Sequence, residues 1–436
     1  MILTVVKKKY IYRYSKHVSS GVLNKICIQK KNIYRLNMTS NLVKILSGGH
    51  FAMFLEWSYS LTSQQNIQTH LSKGNTKAAV QFLTLSTTAS AIANVLSTPW
   101  IGTLLDSFGR RPVILLGHLL NFAAKLLLAF KPSFITLAIN NVVFGIGCQM
   151  VRLGTAASFS DVLQGKELSH ALNVFNMAMG LAMIPGSLLG ARSASKLGNK
   201  MSLYLASIGS LIGFGLVFHY YKETKKETIE SNKTKKTTKK TTTLNINPLA
   251  FLKVFQDARL AKLCCVNCLH YMADSTFQLD QVFLRTYVGL DNNTMGTYGM
   301  IRGISYSVGT YFSRLLLPKI GAKSYTQVAN IAIIAYLYKK GTTRNMQGMM
   351  VFSFFYALAP IYIRSSGVQS LYFDRGVELG MGRGELSAIS SSLINTVQIV
   401  QPFVFSSIYN NFHFKGYIYF LQAGLVGVSS ILLGSI

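Results

Sequence analysis

Three carboxylates stand inside long apolar runs: Glu56 between Leu55 and Trp57, and Asp274 and Asp280 in a stretch that opens near Arg259. In a hydrocarbon setting a charged side chain costs about 2.5–3.5 kcal/mol even on lenient insertion scales, so each is a functional candidate. Glu56 is followed by Tyr59, Ser60 and Ser63 at i+3, i+4 and i+7, a polar stripe along one helix face. A carboxylate placed there either exchanges protons with a cavity or is the static partner of a basic group, for which Arg152 is the candidate. Asp274 has Gln278 one turn on, and Arg302 in the next run is placed to neutralise Asp274 or Asp280. Either that ion pairing is all they do, or one carboxylate exchanges protons or meets a solute. His270, one turn before Asp274, joins such a relay or packs as an ordinary buried imidazole. Gln149, Gln398 and Gln401 face a cavity or a neighbouring helix, and Trp57 and Tyr59 stack on a flat solute or pack between helices.

Other chemistries find no support. There is no G-x-x-x-x-G-K-[ST] loop for nucleotide hydrolysis, no Ser/His/Asp arrangement and no HExxH pair, so no enzyme and no cofactor are expected. Cys264, Cys265 and Cys268 share one apolar segment without a second Cys/His pair, which reads as packing rather than a metal or redox site. The formal charge of +30 would suit a nucleic-acid binder, but the excess is concentrated in tails. Residues 1–55 hold ten Lys or Arg and no acid, and residues 221–245 hold eight Lys against three Glu. Basic loops of this kind set membrane orientation and meet anionic lipid, and no nucleic-acid partner is expected.

The elements that must position these residues are membrane helices. Apolar residues make up 50% of the chain and charged residues 13%, about half the usual share for a soluble domain. Apolar runs have helix length and lack the alternation of a membrane barrel. They predict about twelve spans of roughly twenty residues, near 43–63, 77–99, 112–130, 133–157, 171–191, 201–220, 259–281, 295–316, 322–338, 346–364, 384–409 and 416–434. The Lys/Thr-rich tract from Lys222 to Thr243 has no apolar periodicity and reads as a linker. The expected organisation is a basic extension (1–40), a six-helix bundle (41–220), a linker (221–249) and a second six-helix bundle (250–436). Lysines at 7–9, 222–226 and 235–240 place both termini and the linker in the cytoplasm. The basic loops at 192–200 and 339–344 would then lie outside, as would the Asn292-Asn293-Thr294 sequon. The first 40 residues read equally as a targeting peptide, a cytoplasmic tail, or sequence ahead of a start at Met38.

One loop identifies the architecture. Residues 102–112, Gly-Thr-Leu-Leu-Asp-Ser-Phe-Gly-Arg-Arg-Pro, lie between two apolar runs. Gly102 suits close helix approach and Gly109 a tight reversal. Asp106 suits capping a helix or pairing with a base, and Arg110 and Arg111 suit the cytoplasmic face. The stretch resembles the G-x-x-x-D-[RK]-x-G-[RK]-[RK] signature between the second and third helices of major facilitator superfamily transporters, with Ser107 in place of the first basic residue. Residues 139–161 resemble the fourth helix of drug:proton antiporters. Asp161 matches that pattern, but Asn141 stands where it has an arginine, which puts the usual proton-relay role in doubt. Gly180, Pro185, Gly186 and Gly190 resemble the fifth helix of that branch. Asn247-Pro248-Leu249 and the Gly384-Glu385-Leu386 to Phe405-Ser406 stretch resemble the seventh and eleventh helices of tetracycline-transporter-like proteins. The counterpart loop, Arg314 to Lys323, keeps Gly321 and Lys323 and lacks the aspartate.

The resemblance implies an all-α integral membrane protein, with twelve transmembrane helices in two six-helix bundles around a central substrate site. It also implies that Asp106, Arg110 and Asp161 form a charge network latching the bundles in one state. The expected activity is alternating-access transport of a small organic solute, coupled to protons, by a monomer in a plasma or organelle membrane. Two rivals are an uncoupled facilitator of sugars or metabolites and a non-transporting receptor or scaffold.

Overall fold

The computed structural model describes residues 20–163, 165–224, 254–274, 277–353, 355–358, 361–381 and 383–436, with side chains from Ser40 onward apart from a few positions such as Gln278 and Glu385. Residues 1–19, most of the Lys/Thr-rich linker and the stretch 247–252 lie outside the described residues.

In the first half, α1 (Ser20–Leu71), α2 (Thr76–Phe108), α3 (Arg110–Phe130), α4 (Phe134–Val162), α5 (Gly165–Lys196) and α6 (Asn199–Tyr220) follow one another through short joints. The second half holds α7 (Ala258–Asp274), α8 (Phe277–Thr286), α9 (Asn292–Ile320), α10 (Ala322–Thr342), α11 (Met346–Ser353), a 3-10 turn (Phe355–Leu358), α12 (Ile361–Glu378), α13 (Arg383–Asn411) and α14 (Tyr417–Gly434).

Local chemistry sets many of the boundaries. Asn75 caps α2 by accepting from the Ala78 amide, and Ser133 with Thr136 forms a reciprocal capping box on α4. Asp291 caps α9, and the bonds it accepts from Thr294 hold its carboxyl below the usual range. Asp257 accepts from the Leu260 amide at the start of α7, while the Arg375 guanidinium of α12 keeps its carboxyl low. At Gly109 a helix ends and the next begins on a single residue with φ 96° and ψ 173°, a conformation open essentially to glycine. Gly321 repeats that joint between α9 and α10 with φ 80° and ψ 160°. The second-half counterpart of the signature loop thus keeps the backbone while losing the aspartate.

The described helices differ from the expected spans in their bounds. The span 259–281 is described as α7 and α8, on either side of residues 275–276, which lie outside the described residues. The span 346–364 is described as α11, the 3-10 turn and the first residues of α12, with residues 354, 359 and 360 outside the described residues. The helix that starts at Ser20 runs without interruption into the first predicted span, since no glycine or proline falls between Val22 and Ser47.

Among the described residues, six helices are long and apolar enough to cross a membrane: α2, α3, α4, most of α5, α6 and α14. Large apolar side chains point outward, Phe130 being 77% exposed, Trp100 and Ile431 74% and Ile135 73%, while Glu56, Lys125, Asp280, Lys340 and Arg364 are buried. Apolar outside and charged inside is the arrangement of a helical protein solvated by lipid. The chain is an integral, multi-pass membrane protein.

Within the first half, α1 packs on α5 and α6, and α3 on α4 and α6. The halves meet along α5 with α9 and α2 with α13. The first of these contacts is close because it is built on glycine: a Cβ at Gly303 would sit 2.8 Å from the Gly180 carbonyl oxygen. An apolar cluster joins Val80 and Leu83 of α2 to Phe283, Tyr409 and Tyr419 of the second half.

Candidate functional site

Residues 56, 60 and 64 lie one turn apart on α1 and therefore share a face. At the first of them, the buried Glu56 carboxylate sits 3.9 Å from the Lys125 ammonium of α3 and accepts a hydrogen bond from Ser210 of α6. Lys125 in turn donates to the Ser60 hydroxyl at 3.0 Å, and Gln64 donates to the same oxygen at 2.7 Å. The Gln64 carbonyl accepts from Asn140 of α4 at 3.3 Å. A polar chain thus runs from a buried ion pair, through α1, to α4.

Its far end opens on a cavity of about 260 Å³ lined from both halves. α1 supplies Trp57 and Gln64, α2 Thr87, Ser90 and Asn94, and α4 Asn140, Asn141 and Phe144; α13 supplies Gln398, Gln401 and Pro402. Among the described residues, the wall is rich in amides and hydroxyls and carries no ionisable side chain. Trp57 and Phe144 stand nearly parallel, 14° apart with centroids at 6.5 Å. Asn141 is bound to α2 twice, donating to Ser86 at 3.3 Å and accepting at its backbone carbonyl from Ser90 at 3.1 Å. Such a wall can recognise a solute by neutral hydrogen bonds and an aromatic face.

A second polar centre lies inside the second half. Asp274 pairs with the fully buried Arg364 of α12, whose guanidinium also donates to Asn330 at 3.5 Å. Asp280 accepts from Arg302 at 3.2 Å, from the Tyr419 hydroxyl at 2.6 Å, and from Lys340.

The signature loop forms a third. Arg110 reaches Asp161 of α4 at 3.0 Å, the Leu105 carbonyl at 2.9 Å and Asp106 at 3.4 Å. The α3 N-terminus is held by Glu223, which accepts from the Arg110 and Arg111 amides at 3.1 and 2.9 Å. Arg111 donates to the Phe218 carbonyl at the end of α6 and lies over the Phe218 ring. The partners shown here all come from residues 105–224.

Several assignments differ from expectation. Glu56 is matched by Lys125, not by Arg152, because α3 rather than α4 carries a cation to its depth; Arg152 is exposed. Asp274 is matched by Arg364, leaving Arg302 to Asp280. Lys340 belongs to the interior and not to an exposed basic loop, since α10 continues to Thr342. A Cβ at Gly102 would meet nothing within 4 Å, so close packing does not explain that glycine. Tyr59 offers its backbone to Gly190 of α5 and lies away from the cavity, as does the half-buried Gln149. Gln398 does line it, and the Gln278 side chain lies outside the described ones. Among the residues that sequence reasoning missed are the cations Lys125, Lys340 and Arg364. A lone basic residue within an apolar run, as at Lys125, is the signal that finds them.

Known proteins agree with this architecture. The family model described as Major Facilitator Superfamily matches residues 45–338. The chain is 27% identical over 135 residues to the class B tetracycline resistance protein of Escherichia coli, covering 31% of this chain and 33% of that protein. It is 30% identical over 160 residues to a chloramphenicol resistance protein of Pseudomonas aeruginosa, covering 34% and 38%. These alignments span little more than a third of the curated relatives. Among solved structures, the human organic anion transporter MFSD10 (TETRAN) has a similar fold, with a TM-score of 0.69 at 17% identity, covering 91% of this chain and 99% of that one. The nucleoside transporter NupG gives 0.66 at 14%, covering 90% and 99%. A transmembrane helical fold with a polar cavity between its halves, and a family match over more than half its length, make this chain a member of the Major Facilitator Superfamily.

Proposed function

We propose that the protein is a secondary transporter that moves a small organic solute by alternating access and draws on a proton gradient to do so. Its moving parts are two six-helix bundles, residues 41–220 and 250–436, joined by the basic 221–249 linker, with termini and linker in the cytoplasm. The observation that carries this reading is the cavity shared by both halves and wired through Asn140, Gln64 and Ser60 to the Glu56–Lys125 pair. When Glu56 takes up a proton, Lys125 loses its counter-charge and leans on Ser60. The shift passes along α1 and α4 into the cavity wall, where solute is held. Asp106, Arg110, Arg111 and Asp161 bias the balance between the two states at the far end of α2 and α3. The resistance transporters aligned above support a drug-like organic solute as the class to try first.

The test is flux into proteoliposomes with an imposed pH gradient, following internal solute and internal pH together. Wild type is expected to move solute and protons together, and Glu56→Gln to keep downhill exchange while losing gradient-driven accumulation. Asn141, standing where the antiporter pattern has an arginine, favours a second reading, an uncoupled facilitator. Solute flux without any pH response would select it, and silence across a broad panel would point to a receptor or scaffold.

A further inference from the structure

The cavity between the halves offers polarity without charge. Amides and hydroxyls line it from both sides, with Gln64, Ser90 and Asn94 from the first half and Gln398 and Gln401 from the second. Among the described residues none of the lining side chains is ionisable. The Glu56–Lys125 pair is buried behind this wall: Lys125 lies 5.9 Å over the Phe144 ring, and its link to the cavity passes through Ser60 and Gln64. Those two charges already answer each other at 3.9 Å. A charged solute entering here would shed water and meet dipoles without a counter-ion, which is costly. A neutral one exchanges hydrogen bonds to water for bonds to amides at little net change. Each primary amide offers both donors and an acceptor, so the wall suits a solute edge that carries both.

Shape narrows the class further. Trp57 and Phe144 both border the cavity, and their rings are 14° from parallel, so a flat solute laid along one lies along the other. From α13, Pro402 adds apolar surface. The volume, about 260 Å³, is small for a ligand site, since such sites run to about 1,000 Å³. We propose that the solute is a small, uncharged, planar heteroaromatic bearing an amide-type edge. Its ring lies along Trp57 and Phe144, and Asn94 and Gln398 meet its edge from opposite halves. This inference rests on the cavity being the transport site and names the class of solute it takes.

The experiment reads binding apart from flux. The chain has two tryptophans, and Trp100 is 74% exposed on the outer surface, so Trp100→Phe leaves Trp57 as the fluorescent reporter. The purified full-length variant in detergent is titrated with nicotinamide, its N-methylpyridinium cation and nicotinate, one ring in neutral, positive and negative form. The expected result is a saturable change in Trp57 emission with nicotinamide, and half-saturation about tenfold or more higher for both charged forms. Trp57→Phe, with Trp100 as the reporter, is expected to be silent. Gln398→Glu adds a carboxylate to the wall and is expected to shift preference toward the cation about tenfold. Binding of either charged form as tight as that of nicotinamide would overturn the proposal. So would the lack of a saturable nicotinamide response, or an unchanged preference in Gln398→Glu. Should Gln398→Glu not fold, the ranking of the three forms in Trp100→Phe decides alone. Proton-coupled flux of a charged solute alone would overturn the solute class and leave the transport reading standing. Selective nicotinamide binding without flux in proteoliposomes would support the class and overturn the transport reading.

Discussion

Removing the Lys125 ammonium while Glu56 stays leaves a full charge enclosed by α1, α3 and α6, with Ser210 as its hydrogen-bond donor among the described residues. Breaking one side of a buried pair costs about 3–5 kcal/mol, whereas removing both partners is close to neutral. Lys125→Met is therefore expected to lower Tm sharply and Glu56→Gln with Lys125→Met to recover most of the loss, read by thermal unfolding of all four proteins in a double-mutant cycle. Glu56 was visible in the sequence because a carboxylate among Phe54, Leu55 and Trp57 is anomalous by itself. Its partner was not, since 69 positions of sequence separate Glu56 from Lys125 and only the packing of α1 on its neighbours brings them together. Gln64 was missed for a related reason: an uncharged amide two turns along the stripe gains its meaning from Asn140, on another helix.

Among the described elements, the α5–α9 seam is a contact between the halves with little room. Gly303 lies against the backbone of Gly180 and Ile184, so a large side chain must push two main chains apart rather than displace a flexible neighbour. Overpacking of this kind typically costs about 1–3 kcal/mol. Gly303→Leu is expected to lower Tm by a corresponding amount, whereas a lining change such as Gln398→Ala is expected to depress solute flux and leave Tm nearly unchanged. Proteoliposome uptake and thermal unfolding of both variants check this. Elements with strong local signals were read well: α2, α3, α4 and α6 follow their apolar runs, and Gly109 ends α2 where its special backbone is needed. The 3-10 turn Phe355–Leu358 inside the expected span 346–364 was overrun because hydropathy averages across a short change of backbone geometry.

At the scale of the whole molecule, the halves are also tied together at the end that carries Asn75. Arg285 donates to Asn66 of α1 and to Asn292 of α9, and Gln65 donates to Gln281. The clasp lies beyond the cavity from the Gly109 end, so releasing it should open the cavity on that side. Arg285→Ala is expected to speed labelling of a Gln398→Cys reporter several-fold by an impermeant maleimide added on that face, with no gain from the other face. Equal rates in both backgrounds would make the clasp incidental. Membrane class, all-helical architecture and family were determined by the sequence alone, because hydrophobic length, charge placement and a glycine-bound loop are local properties that any fold of this chain must respect. Which cation answers which carboxylate and which amides meet across the halves were decided only by the tertiary structure. Pairing inside a bundle depends on helix depth and rotation, and these are set by packing between segments far apart in the chain.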